Sequence, residues 1–214
     1  MKPTEPQSSV PSSAREPALT LPLNAAVAHI RELIAHSSRP VTLIGITGPV
    51  GSGKSHLARQ LSPCVLSTDD YLPNYDEVDY EARDLPHIAD YTALAANLTA
   101  LKRGAATQVP VWSFHSHRRE SSREVMPHPL VVCEGIHALY APIIPELDIR
   151  IFIEAPADIR WSRWERLESS GERGWGVEKA RAFFHEVANP TYAKYADTYR
   201  ALAHIIVSND SGGV

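Results

Sequence analysis

The sequence predicts an α/β fold in which a mainly parallel β-sheet is flanked by helices. Three observations predict it. Short apolar, β-branched runs alternate with segments of helical periodicity along most of the chain. One such run leads into a glycine-rich loop of the form G-x-x-x-x-G-K-[ST], and a helical segment follows it. At 214 residues and 43% hydrophobic, the chain carries enough apolar side chain for one full core.

Residues 1–21 are rich in Ser and charge, with Pro3, Pro6, Pro11 and Pro17 spread through them, and are expected to be a flexible tail. Residues 22–214 are expected to form a single domain. Val27, Ile30, Leu33 and Ile34 predict a helix over 24–36. The run 41–47 reads as a strand buried on both faces. The helix after the glycine loop, 55–61, has Leu57 and Leu61 four apart on one face. A second short strand spans 64–67 and ends in Thr68-Asp69-Asp70-Tyr71. The polar, acidic connection 73–86 is of a length that usually carries function. Leu94, Leu98 and Leu101 form a core-facing stripe on a helix over 90–102.

Residues 108–114 alternate and then turn into the basic stretch His117-Arg118-Arg119. Buried-strand runs follow at 130–133, which stops at Glu134-Gly135, and at 149–153. A helix over 157–168 places Arg160, Arg163 and Arg166 on roughly one face. Residues 171–176 break it, 177–202 resume it with Pro190 as the place for an interruption, and 204–208 make the last strand.

The glycine loop runs Gly48-Pro49-Val50-Gly51-Ser52-Gly53-Lys54-Ser55, with His56 continuing into the helix. Its glycines allow positive φ and bring successive N–H groups toward an anion, and the helix start adds the positive end of its dipole. Lys54 would reach the β- and γ-phosphates of a nucleoside triphosphate, and the Ser55 hydroxyl would ligate Mg²⁺. The dinucleotide fingerprint is excluded, because His56 stands where its third glycine belongs.

In parallel sheets, ligands lie beyond the carboxyl ends of the strands. The phosphate loop, Asp69 and Glu134 each follow a predicted strand, so all three should meet at one edge. Phosphoryl transfer needs positioning, charge neutralisation and a group that orients the attacking hydroxyl. Asp69 is the candidate base and Glu134 the candidate for holding Mg²⁺, directly or through water. The arginines from Arg160 to Arg173 would close over the phosphates. Asp70 reads better as a turn cap.

A formal net charge of −4 gives no reason to expect a nucleic acid or membrane partner. Cys64 and Cys133 lie in apolar runs without a C-x-x-C pair, which suits buried free thiols in a reducing, cytoplasmic setting. The sequence does not decide the oligomeric state, and a homo-oligomer is compatible with it.

Taken in order, these motifs resemble the uridine kinase family of P-loop kinases, a relative of the phosphoribulokinase and pantothenate kinase groups. The resemblance spans about residues 41–208. Leu66-Ser67-Thr68-Asp69-Asp70-Tyr71 resembles the segment whose acidic residue activates the sugar hydroxyl. Asp84-Leu85-Pro86-His87 resembles an Asp-x-Pro stretch that holds ribose hydroxyls, which implies substrate contact for Asp84. The segment from Val109 to Arg118 resembles a Pro-x-Tyr-x-Phe-x-x-His hairpin over the base, and so implies Trp112, Phe114 and His117. The segment around Glu134 is similar to the family's metal-side glutamate. Arg160 and Arg163 fall on its arginine-bearing helical lid, implying substrate contact for Arg160 and catalysis for Arg163 beside Lys54 and Asp69.

Trp112 stands where the family usually carries tyrosine, so a hydroxyl that could bond the base is gone. The resemblance implies ATP- and Mg²⁺-dependent phosphorylation of the 5′-hydroxyl of a pyrimidine nucleoside, uridine or cytidine. The alternatives are the same chemistry on pantothenate, nicotinamide riboside, a sugar phosphate or glycerate, and a nucleotide-dependent switch without an acceptor. The absence of an Asn-Lys-x-Asp motif weakens a GTPase reading.

Overall fold

The structure, a computed structural model, describes residues 18–210. Six strands form one parallel sheet: β1 (Leu19–Pro22), β2 (Thr42–Thr47), β3 (Cys64–Ser67), β6 (Leu130–Glu134), β7 (Ile149–Glu154) and β8 (Ile205–Ser208). Their spatial order is β1-β8-β7-β2-β6-β3. Strands β4 (Thr107–Ser113) and β5 (Arg118–Val125) make a separate antiparallel hairpin. The helices are α1 (Leu23–Ala35), α2 (Lys54–Leu61), α3 (Tyr91–Lys102), α4 (Ala157–Ser169), α5 (Val177–Phe183) and α6 (Asn189–Leu202).

Alternation along each central strand feeds two cores. Leu43 on β2 and Val131 and Cys133 on β6 face Leu94, Leu98 and Leu101 of α3 and Tyr199 of α6. Ile44 and Ile46 of β2 and Val132 of β6 face Val27 and Ile30 of α1 and Leu57 of α2. Such strands are apolar on both faces because helices cover both. Each leucine or isoleucine buried there contributes about 1.5–3 kcal/mol. Cys64 and Cys133 are buried free thiols. A third, smaller cluster of Trp164, Phe183, Phe184 and Val187 ties α4 to α5.

Two expectations change. Residues 18–21 belong to the described fold, and Leu19–Pro22 adds an edge strand parallel to β8, where a flexible tail was expected as far as residue 21. The cause is a ladder offered by the unpaired edge of β8, a partner almost two hundred residues away in sequence and so absent from local composition. The rest of the expected tail, residues 1–17, lies outside the described residues. Around Pro190 the chain stays helical, and the interruption is a π-turn over Phe184–Ala188 just before it. Pro190 is the second residue of α6, directly after that π-turn.

Register sets the functional edge. On β6, Glu134 pairs with Ile46 on one side and with Ser67 on the other. The phosphate loop starts two residues past Ile46 and Asp69 stands two residues past Ser67, so the three segments leave the sheet side by side. Gly135, at φ +155°, turns the chain away from β6 where a Cβ would collide with Thr68 Oγ1.

Candidate active site

Beyond that edge lies a cavity of about 570 Å³, lined among others by Lys54, Asp69, Asp84, Glu134, His117 and Arg173. The volume is in the range that receives a small molecule. Gly53, at φ 100°, is the N-cap of α2 and lets the loop fold over the helix start. Lys54 is buried and donates from Nζ to the Pro49 carbonyl at 3.1 Å, spanning the loop. Burial pulls the Lys54 ammonium below its ordinary value, while Glu134 and Asp69 pull it back up. His56 follows in the same wall of the cavity.

Ser55 Oγ donates to Glu134 Oε1 at 3.0 Å. Burial pushes the Glu134 carboxyl up to about 7, with Lys54 opposing and Asp69 adding. A hydroxyl and a carboxylate converging at that distance fit a hard cation. Among the described residues no three His, Cys, Asp or Glu side chains gather as a cage.

Asp69 sits in the tight turn Thr68–Tyr71, whose entry is capped by Ser67 Oγ accepting the Asp69 N–H at 3.2 Å. No hydrogen bond to its side chain is found among the described residues, and its carboxyl lines the cavity. Burial raises it, against the pull of Lys54 and Arg173. Asp70 turns away and accepts the Trp112 N–H at 3.3 Å, pinning the hairpin to the turn. Asp84 faces Asp69, and burial together with that like charge pushes it up to about 7. Its backbone carbonyl is held 2.8 Å from Nε2 of the buried His137, whose Nδ1 bonds the Tyr199 hydroxyl.

The hairpin closes the far end. Trp112 is buried, and its indole N–H donates to the Pro73 carbonyl at 3.1 Å. His117 occupies the hairpin turn at φ 56°. Its ring lies 4.9 Å from Trp175 at 14° and 5.5 Å from Tyr75 at 22°, centroid to centroid. Burial and the nearby Lys179 and Arg83 push the His117 imidazole down to about 4, so it is neutral at physiological pH. Phe114 lies under the Arg173 guanidinium at 4.2 Å.

Arg160 does not stand where the sequence suggested, and Arg163 meets the cavity at its border. Arg160, expected on the substrate side, is buried behind the phosphate loop and lies outside the cavity lining. It donates to the Val50 carbonyl at 3.2 Å and to Asn189 Oδ1 at 2.8 Å. Arg163 borders the cavity, but its guanidinium braces the loop from behind, donating to the Gly51 carbonyl at 2.9 Å and the Asn209 carbonyl at 3.2 Å. The cause is packing: α4 runs beneath the loop, so the face carrying both arginines points at loop carbonyls. The cationic side chain over the cavity is Arg173, drawn toward Asp69 and Asp84 and stacked on Phe114 and Trp164. Sequence reading reached it only as the end of an arginine-rich stretch. Asn209, which donates to the Ser52 carbonyl at 2.8 Å, and His137 had no local signal.

A family model described as "Phosphoribulokinase / Uridine kinase family" matches residues 43–211, most of the chain. The chain belongs to the phosphoribulokinase / uridine kinase family. A uridine kinase of Clostridium perfringens is 32% identical over 183 residues, covering 79% of this chain and 87% of that relative. Among solved structures, a putative fructose transport system kinase from Silicibacter sp. TM1040 superposes with a TM-score of 0.63 at 19% identity, covering 87% of this chain and 98% of that one. A possible uridine kinase from Bacillus stearothermophilus gives a TM-score of 0.58 at 17% identity, with 86% and 98% covered. These structures share the fold, a mostly parallel sheet flanked by helices. Membership makes the chain a kinase that uses a nucleotide and acts on a small molecule. No helix among the described residues is long and apolar enough to cross a membrane.

Proposed function

We propose that this kinase transfers the γ-phosphoryl group of ATP to the 5′-hydroxyl of a pyrimidine nucleoside, with Asp69 as the base. One observation carries the reading: the Asp69 carboxyl shares a cavity with Lys54 and the Ser55–Glu134 pair at one end and an aromatic wall at the other. The acceptor hydroxyl, oriented by Asp69, attacks the γ-phosphorus as the bond to the β–γ bridging oxygen breaks. Its proton passes to Asp69, and ADP leaves. Lys54 and Arg173 stabilise the charge on the transferring group. Ser55 and Glu134 would hold Mg²⁺, which would supply positive charge against the triphosphate. Asp84 suits the ribose hydroxyls, and Phe114, His117 and Trp112 form the wall for the base. We read the chain from residue 18 onward, edge strand included, as one catalytic unit acting in the cytoplasm without nucleic acid or membrane.

Trp112 favours a second reading. Its one polar atom is spent on Pro73, so that side chain offers the acceptor no hydrogen bond. An acceptor panel separates the two: each alcohol is incubated with ATP and Mg²⁺, and products are weighed by mass spectrometry. Uridine and cytidine monophosphates are expected. Silence with both, beside a product from pantothenate, nicotinamide riboside, a sugar phosphate or glycerate, decides for the second reading. ATP binding with no product from any alcohol indicates a switch.

The pH dependence follows from the raised carboxyls. Asp84 and Glu134, both near 7, keep protons that the unfolded chain releases around pH 4. Their stabilising contribution is complete below the unfolded value and is lost as pH rises through about 7, while His117 and His137, both pushed down to about 4, act with the opposite sign. Glu134→Gln should therefore raise the melting temperature at pH 8 relative to that at pH 5.5, compared with the unsubstituted protein. Activity runs the other way, since ionisation lets Glu134 hold a cation and makes Asp84 the stronger acceptor for hydroxyls. The profile of kcat/KM should rise through about 7, and a flat profile over that range would contradict both assignments.

A further inference from the structure

We propose that Glu168 is a positioning residue for this kinase. Its buried carboxylate anchors the loop 171–176, and through that loop it holds the Arg173 guanidinium over the cavity and the Trp175 ring against His117. The inference rests on the reading of the cavity as a phosphoryl-transfer site.

Glu168 stands in the last turn of α4 and is only 6% exposed. That is a costly place for an acid. The negative end of the helix dipole lies there, and a carboxylate removed from water needs compensating donors. Three N–H groups supply them. Oε1 accepts the Trp164 indole N–H at 2.9 Å, and Oε2 accepts the backbone N–H of Trp175 at 3.2 Å and of Gly176 at 2.9 Å. Two further bonds complete the seat of the loop: Arg173 N–H to the Leu167 carbonyl at 3.3 Å, and Gly174 N–H to the Phe114 carbonyl at 3.2 Å. A Cβ at Gly174 would collide with the His115 carbonyl, so the loop lies directly on the hairpin.

The consequences converge on two side chains. Between its tied neighbours, Arg173 extends over Phe114 and Trp164 toward Asp69 and Asp84. Trp175, tied through its own N–H, lays its ring on His117. The Trp164 ring under Arg173 is itself fixed by the bond from its indole to Glu168, so one carboxylate orients both the loop and the platform on which the guanidinium rests. Glu168 also borders the cavity, and its charge acts directly on the Arg173 guanidinium beside those of Asp69 and Asp84.

The test uses Glu168→Gln, which keeps the shape but turns an amide NH₂ toward groups that are already donors. Hydrogen exchange at the Trp175 and Gly176 amides should speed up by on the order of ten- to a hundredfold, the scale of a lost bond to a charged acceptor. With an active acceptor, kcat should fall by about the same factor, while KM for ATP stays within about threefold, as for a group that acts in the transition state. In Glu168→Gln/Arg173→Ala, kcat should match that of Arg173→Ala alone within about twofold, because residues acting as a unit are not additive. Unchanged exchange at both amides, or two losses that multiply, overturns the proposal. Should Glu168→Gln not fold, Glu168→Asp, which keeps the charge and draws the carboxylate back by one methylene from the Trp175 and Gly176 amides, is read by the same exchange and kinetic measurements. If no acceptor turns over in the wild-type protein, the functional reading fails. The amide exchange, with an NMR titration of Asp84 that Glu168→Gln and Arg173→Ala should displace upward alike, still decides on the anchor.

Discussion

Asp69→Asn is expected to lower kcat by about 10²–10⁴-fold while the affinity for ATP changes little. Asparagine keeps the turn, because the cap at its entry is made by the Asp69 backbone N–H and Ser67 Oγ and leaves the side chain out of the fold. What it removes is the carboxylate proposed to take the hydroxyl proton. A second effect has a definite sign. The Asp69 charge raises both Glu134 and Asp84. With that charge gone both carboxyls ionise at lower pH, so the ascending limb of kcat/KM should move to the acid side in whatever activity remains. Single-turnover measurements with radiolabelled ATP read the first effect and a pH series the second. Near-normal turnover in the variant would remove Asp69 from the mechanism.

Arg173→Ala is expected to lower kcat by about 10²–10³-fold, the loss typical of one charge-stabilising donor. Arg173→Lys should recover little of it. The guanidinium lies 4.2 Å from the Phe114 ring centre and 5.2 Å from that of Trp164, and an ammonium has neither the plane nor the fork of donors to replace it there. Arg163→Ala should behave differently. Its side chain holds the Gly51 and Asn209 carbonyls, so the loss should appear as lower thermal stability and a higher KM for ATP. Steady-state kinetics on the three variants separates these outcomes. Equal behaviour of Arg163→Ala and Arg173→Ala in kcat would sink the distinction between brace and catalytic donor.

Much of the site was legible before any fold was seen. Lys54 and Ser55 come from a contiguous pattern with its strand before it and helix after it. Asp69 and Glu134 each end an apolar run, and the rule that ligands gather at the carboxyl ends of parallel strands brought them together. The register of β6 between β2 and β3 realises that meeting. Arg160 lies outside the cavity because a three-residue spacing tells which side chains share a face and says nothing about what the face meets. Residues 19–21 were misread because a strand edge is satisfied by its partner, and that partner lies at the other end of the chain.

The sequence by itself determined the order of strands and helices, the phosphate loop, and which acids end strands, because each is carried by residues close together along the chain and reports local backbone preference and periodicity. Only the tertiary structure decided that Arg173 covers the cavity, that Arg160 and Arg163 buttress the loop, and that Glu168, His137 and Asn209 hold distant segments in place. Those outcomes depend on burial. A charged or polar group taken out of water must find partners wherever the packed chain brings them, and that is settled by contacts between segments far apart in sequence.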